Sequence, residues 1–389
     1  MGFLSNEEEF SRYGYYLVLL AALASAIVPK FMHSVSYVAI AFALLRYYKF
    51  KVGIKPDRVI MSGIIAFLTG LLIASSFAPN WPKGYSVVEY FFKIMWPFLI
   101  TSLFVSNRRQ LVGVITVLAI SIAGPSGYAI FQGLSGEVRA GAHFSHVNRL
   151  AFFLDIYIPL LYVATIEKNI LPRKCRIFTG AVLAVAIPAL VYTGTRGAWL
   201  AVGLTFMAYA LLKIRDNKKL GIALCLVFVI LASALLSSEP VRDRFATIFN
   251  PQFSSNSERV LIWESAVAMW RDYPLTGVGL DNFEKMEEIY LSPLHKEPIH
   301  THAHNIFLNF LAETGLVGLS GFLGLFACIL CRLARHSRNP LMTAAILITC
   351  NLLLHGLVDN NFYHQASMQA YWFVLGLSIA SVKILADNG

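Results

Sequence analysis

Leu220-Gly-Ile-Ala-Leu-Cys-Leu-Val-Phe-Val-Ile-Leu-Ala-Ser-Ala-Leu-Leu236 carries no charged side chain and ends abruptly at Ser237-Ser-Glu-Pro240. A helix rises about 1.5 Å per residue, so an apolar run of about 20 residues matches the hydrocarbon layer of a bilayer, ~30 Å thick. Comparable runs recur along the whole sequence, at roughly 13–29, 31–45, 59–78, 86–105, 111–132, 149–166, 177–193, 198–212, 314–331, 341–357 and 366–383. The second of these is short. The composition agrees: of 389 residues 57% are hydrophobic and 14% charged, and the mean hydropathy is +0.62. Soluble chains average ~45–50% and ~25%. Apolar mass this abundant excludes a disordered chain and argues against an ordinary soluble domain. The expected fold is an all-α integral membrane protein with about twelve transmembrane helices.

The net charge of +10 does not point to nucleic acid, because the basic residues sit in short loops between apolar runs and form no basic stripe. One set of loops holds Arg46, Lys49, Lys51, Lys55 and Arg58; Arg108 and Arg109; Lys168, Arg173, Lys174 and Arg176; Lys213, Arg215, Lys218 and Lys219; and Arg332, Arg335 and Arg338. With Arg12 and Lys383 near the termini, these make 20 of the 32 lysines and arginines. The positive-inside rule puts this set and both termini in the cytoplasm. No cleavable signal peptide is expected, because the first apolar run lacks a convincing small-residue cleavage site and further spans follow it. The cysteines, Cys175, Cys225, Cys328, Cys331 and Cys350, lie in or beside apolar runs, so no disulfide framework is expected. The CxxC of Cys328 and Cys331 reads as two small packing residues rather than a metal or redox pair.

One non-cytoplasmic segment stands apart. Residues 237–303 carry ten acids and six bases, a net charge of −4. Unstructured loops of that length are uncommon. Within it, Val260, Trp263, Val267 and Trp270 recur at helical spacing from Glu258 to Tyr273, and Pro274 with Gly277 and Gly279 ends the run. A small helical cap between spans nine and ten is expected. The chain then divides into spans one to nine (1–236), the cap (237–303), and a helix start with spans ten to twelve (304–389), all one integrated unit.

Several polar residues have no role in a membrane span. Arg139, Arg196 in Thr193-Gly-Thr-Arg196-Gly197, and Arg259 in Ser257-Glu-Arg259-Val fall on the same side in this topology. Guanidinium groups in a partly dry site suit a phosphate or diphosphate; the alternative for each alone is a snorkelling arginine. Arg196 interrupts apolar sequence between two glycines, where ionisable residues default to function. His300-Thr-His302-Ala-His304-Asn305 follows. Its alternating histidines invite a zinc reading, but no further ligand motif lies nearby, and no metal is expected. His304 is the preferred general base, able at neutral pH to take a proton from a sugar hydroxyl. His302 is either an interfacial histidine or part of the binding site. Asn305 either caps the next helix or binds sugar. Asp359 could pair with an arginine, orient His304, or simply sit at the interface. Gly315, Gly318, Gly321 and Gly324 form a stripe that reads as close helix packing. Lys93 reads as the intrahelical partner of Glu89. No P-loop, GxSxG, HExxH or DxD-type site is present, which counts against an ATPase, a serine hydrolase, a zincin and a nucleotide-sugar enzyme.

His304-Asn305, nine residues, then Gly315-Leu-Val-Gly318 resembles the HN-x9-GxxG signature of the bacterial O-antigen ligase family. Thr193-Gly-Thr-Arg196-Gly197 looks like that family's Thr/Ser-Arg motif, and Ser257-Glu-Arg259-Val-Leu-Ile-Trp263 like its loop arginine motif. The large outer loop between spans nine and ten is also as in the family. The resemblance implies an inner-membrane glycosyltransferase with a periplasmic site and periplasmic cap. Its donor would be an undecaprenyl-diphosphate-linked O-antigen and its acceptor lipid A–core, transfer would invert the anomeric centre, and no cofactor, metal or ATP would be needed. His304, Arg196 and Arg259 would be catalytic, with Arg139, His302, Asn305 and Asp359 binding substrate. The chain lacks the long C-terminal extension usual in protein-glycosylating relatives, and has one large outer loop where polymerases often have two. An O-antigen polymerase is the alternative within the class, and a lipid-linked oligosaccharide transporter the alternative outside it.

Overall fold

The computed structural model describes residues 6–27, 29–52, 56–78, 81–250, 252–290 and 300–386; Lys55, Lys296 and Glu297 of the expected charge pattern lie outside them. All regular structure among the described residues is helical. The first half runs α1 Glu7–Ile27, α2 Pro29–Phe50, α3 Arg58–Phe77, α4 Trp81–Ile94, α5 Trp96–Phe104, α6 Arg108–Leu134, α7 Val147–Ile166 and α8 Arg173–Tyr192. The second runs α9 Arg196–Asp216, α10 Lys218–Leu236, α11 Glu239–Ala246, α12 Ser254–Asp272, α13 Phe283–Tyr290, α14 Ile306–Ala334, α15 Pro340–His355 and α16 Gln365–Ala386.

Helices stand at each position where the hydropathy places a span. The fourth is divided at Met95, where Pro97 cannot donate to the ladder. Among the described residues nine are long and apolar enough to cross a membrane: α3, the stretch Lys83–Phe104, α6, α7, α8, α9, α10, α14 and α16. α15 is apolar but shorter, with 16 residues, and α1 and α2 are not among the nine. Apolar runs become helices here because only a helix satisfies its own backbone N–H and C=O groups without water.

α7 and α16 are buried nearly all round, whereas only Gly221 is buried on α10, which packs along α9. The basic loops gather at one end of the bundle. There Arg332 pairs with Asp57, Lys213 Nζ lies 2.5 Å from Glu167 Oε1, and Arg108 donates to the Asn169 carbonyl at 3.0 Å. Lys93 pairs with Glu89 within α4, as their spacing implies. All five cysteines are free thiols.

The described part of the segment between α10 and α14 is helical, and packing sets the face of α12 that turns inward. α12 buries Ile262, Ser265, Ala266 and Met269, while Val260 is exposed and Trp263, Val267 and Trp270 are half-buried. The small Ser265 and Ala266 let α12 lie close against its neighbours, which outweighs the larger hydrophobic side chains in choosing the face. Ile262, Ala266 and Met269 share a small core with Val278, Phe283 and Ala312.

The glycine run on α14 also departs from a simple packing stripe. Gly70 and Gly321 do bring α3 and α14 together: a Cβ on Gly70 would stand 3.1 Å from the Val317 carbonyl and one on Gly321 3.2 Å from Phe67 Cα. Gly315 instead breaks α14, at φ +59° and ψ −161°, a region essentially closed to other residues. The break strips carbonyls and amides of their intrahelical partners, and the loop after α12 supplies replacements. The amides of Val278 and Gly279 donate to the carbonyls of Ala312 and Glu313, both at 2.9 Å. The amides of Leu316 and Val317 donate to the carbonyls of Pro274 and Leu275, at 2.9 and 3.1 Å.

A Cβ on Gly315 would fall 2.3 Å from the Leu275 carbonyl carbon, in the middle of this exchange. Gly315→Ala should therefore destabilise by at least the roughly 1–3 kcal/mol of a forbidden backbone conformation. The expected result is a lower melting temperature and faster proteolysis within 237–290 in detergent. Unchanged melting and cleavage would show that the loop docks without this break.

Candidate functional site

At the end of the bundle away from the basic loops, four connections meet: α6 to α7, α8 to α9, the chain entering α14, and α15 to α16. Their side chains form one hydrogen-bonded chain. His304 Nδ1 lies 3.1 Å from Asp359 Oδ1. Asn148 Nδ2 donates to Asp359 Oδ2 at 2.8 Å. The Asn148 Oδ1 accepts from Arg139 Nη2 at 3.0 Å and from Thr195 Oγ1 at 3.2 Å. Arg139 Nε donates to the Thr193 carbonyl at 2.8 Å, a close approach allowed by Gly194 at φ +64°. His304, Asp359 and Arg139 thus converge, through an asparagine that hydropathy and motif reading do not single out.

Asp359 is buried, and burial alone would push its carboxyl up. The hydrogen bond with His304, and then the His304, His355 and His302 rings around it, outweigh this and hold it well below the usual carboxylate range. An ionised Asp359 holding Nδ1–H of His304 leaves the lone pair on Nε2. His304 itself sits at φ +46°, a left-handed conformation that is rare without glycine. Burial, assisted by His304, pushes His302 down to about 4, so it is a neutral imidazole near pH 7. Its Nδ1 accepts the His304 amide at 3.2 Å. His300 turns instead to Glu287, 3.3 Å away. The three alternating histidines therefore do not share one ligand set; His302, His304 and Asp359 do, with potential ligand atoms all within 4.8 Å of one another.

Asn305 is occupied as the cap of α14. Its Oδ1 accepts from the Phe307 and Leu308 amides at 2.9 and 3.1 Å, and its Nδ2 donates to the Leu357 carbonyl at 3.0 Å.

The arginines divide by what they already hold. Arg196, 9% exposed at the start of α9, gives Nη1 to the carbonyl and hydroxyl of Thr247, both at 2.9 Å. Its Nη2 reaches Asn256 Oδ1 at 3.2 Å, and its Cζ lies 4.8 Å from the Phe253 ring centroid. It fastens the 237–290 segment to the bundle. Arg244 joins it, donating Nε to the Gly194 carbonyl at 3.2 Å. Arg259 is half-buried and has no hydrogen-bond partner among the described residues. Burial disfavours the charge on Arg259, Asp359 favours it, and Arg244 again disfavours it. On Arg139 burial and then Arg244 act in the same unfavourable direction and Asp359 in the favourable one, so one carboxylate serves both arginines. Cations short of counter-charge in a partly dry site attract a multivalent anion.

Three participants escape a sequence reading. Arg244 lies among many loop charges, and Asn148 is an ordinary polar residue at a span's start. The third is a buried pair, His355 Nδ1 and Asp155 Oδ2 at 2.5 Å, one helical turn before Asp359. Its signal was a single carboxylate inside the apolar run 149–166.

Residues 181–323 match the family model described as O-antigen ligase. That segment is similar to members of the O-antigen ligase family. Members of the family are glycosyltransferase-like enzymes. The segment spans α8 to the middle of α14 and includes Arg196, Arg244, Arg259, His302, His304 and Asn305. Arg139, Asn148 and Asp359 lie outside it but complete the same hydrogen-bonded chain. No curated protein matches the chain.

Proposed function

We propose that the protein is an O-antigen ligase of the bacterial inner membrane, with twelve spans, cytoplasmic termini and a periplasmic site under the 237–303 cap. It would move O-antigen from undecaprenyl diphosphate to an outer sugar of lipid A–core. The observation that carries this reading is the pairing of His304 with Asp359 beside arginines that lack counter-charge. The base and the anion site sit together, as a displacement at a glycosyl diphosphate requires.

The acceptor hydroxyl oxygen attacks the anomeric carbon while its proton passes to His304 Nε2. Asp359 holds the ring in the required tautomer and stabilises the imidazolium that forms. The bond from the anomeric carbon to the diphosphate oxygen breaks on the opposite face, so the configuration inverts. The departing diphosphate takes the electron pair, and Arg259, with Arg139 and Arg244, stabilises the charge that develops. Arg196 keeps Arg244 and Arg259 in place by holding the cap. The donor bond stores the free energy, so ATP is not needed, and the arginines meet the developing charge in place of a metal. An apolar groove of about 500 Å³ is lined by Leu190, Trp199, Phe206 and Leu231 among others and reaches Phe245, the residue that follows Arg244. It supports a lipid tail lying between α9 and α10 with its diphosphate at the arginines. The arginines and His304 gather at one end of the bundle, which weighs against a transporter; the Asp155–His355 pair is the one that lies deeper among the described residues of the site.

The test is transfer by purified protein in vesicles, with undecaprenyl-diphosphate glycan and lipid A–core, EDTA present and ATP absent. Glycan on lipid A–core is the expected product. Glycan lengthening on the carrier would make the protein a polymerase, and donor translocation without transfer would make it a transporter.

A further inference from the structure

We propose that His302, His304 and Asp359 form a reversible site for a zinc-like transition-metal ion, and that its occupancy switches off acceptor activation. Two imidazoles and a carboxylate are a donor set that zinc accepts, with the remaining position left to water or ligand. Their ligand atoms lie within 4.8 Å of one another. Tetrahedral zinc with bonds of about 2.0–2.1 Å draws its ligands closer than that, so small side-chain rotations complete the set.

The surroundings are built to hold these side chains. Asp359 is anchored from outside the cluster by Asn148 Nδ2 at 2.8 Å and by the Asn360 amide at 2.8 Å. The His304 amide is tied to the His302 ring, and the two rings stand 4.3 Å apart, centre to centre. Outer partners of this kind orient metal ligands. Arg139, linked through Asn148, opposes a cation. The site therefore suits exchangeable, micromolar occupancy rather than a permanent structural ion.

The consequence follows from the two nitrogens of His304. A metal on Nε2 takes the lone pair that would accept the acceptor's proton. A metal on Nδ1 displaces the Asp359 bond and leaves Nε2 carrying hydrogen. Either way the base is lost. Metal binding rests on the geometry alone; the switch rests on His304 acting as the base, as proposed above.

The full-length protein in nanodiscs, stripped with EDTA and dialysed, is titrated with Zn²⁺ by calorimetry and with Co²⁺ by visible absorption. One ion per chain is expected, with the intense bands of four-coordinate cobalt, lost in His302→Gln and retained in His300→Gln. Zn²⁺ should cut transfer to below about a tenth, and EDTA should restore it. Absence of stoichiometric binding, or equal binding by His302→Gln, would overturn the site while leaving the ligase reading intact. Stoichiometric binding with undiminished or increased transfer would overturn the switch and remove His304 as a metal-free base.

Discussion

His304→Ala should abolish transfer while the protein still inserts and folds. General-base catalysis contributes roughly 10²–10⁴-fold, and no second imidazole replaces His304: His302 turns Nδ1 toward the backbone, and His300 is held by Glu287. The substitution also leaves the buried Asp359 without its imidazole, a cost of about 1–3 kcal/mol that Asn148 and the Asn360 amide partly offset. A modest fall in melting temperature is therefore expected alongside a complete loss of product. His304→Gln separates the two effects, because its amide can still donate to Asp359 but cannot take up a proton at neutral pH. It should recover stability and not transfer. Normal glycan attachment by either variant, measured in vesicles at matched protein levels, would remove His304 from the base role. The left-handed backbone at His304, φ +46°, fits a residue held where its chemistry needs it rather than where its backbone would settle.

Arg259 and Arg196 should fail for different reasons. Arg259 has no hydrogen-bond partner among the described residues, so Arg259→Ala removes charge without dismantling a contact. The expected result is a loss of about 10²–10³-fold in kcat, as for other groups that stabilise developing negative charge, with an unchanged proteolysis pattern in 237–290. Arg196→Lys keeps the charge but loses the planar fork that grips Thr247 and Asn256 together. It should fall nearly as far as Arg196→Ala, and both should open the cap to protease. Full activity of Arg196→Lys would reduce Arg196 to a simple charge, and protease sensitivity in Arg259→Ala would make Arg259 a structural anchor as well.

Some of this is legible in single residues. The nine helices among the described residues that are long and apolar enough to cross a membrane follow from local composition, because in an apolar solvent a helix satisfies its own backbone whatever surrounds it. The motif around Thr193–Gly197 and the His304-Asn305 pair mark the region of the site because polar residues at such places are costly and therefore informative. The helix in the cap is legible from its periodicity, but its inward face is not, since Val260 and Trp263 yield to Ser265 and Ala266 once a neighbour has to fit.

What the sequence by itself determined is the run of apolar helices, the clustering of the basic loops and the candidates for a base and an anion clamp. These depend on side-chain chemistry and on spacing within one helix. Which of those residues meet was decided only by the tertiary structure. Asn148 joins Asp359 to Arg139 across 211 and 9 positions of sequence, respectively. Gly315 breaks its helix to receive a loop whose own sequence ends near position 279. The same packing spends Arg196 on the cap and leaves Arg259 without a hydrogen-bond partner among the described residues, although both read alike as isolated arginines. Hydrogen bonding between distant segments carries no periodic signal, so it appears only when the helices are brought together.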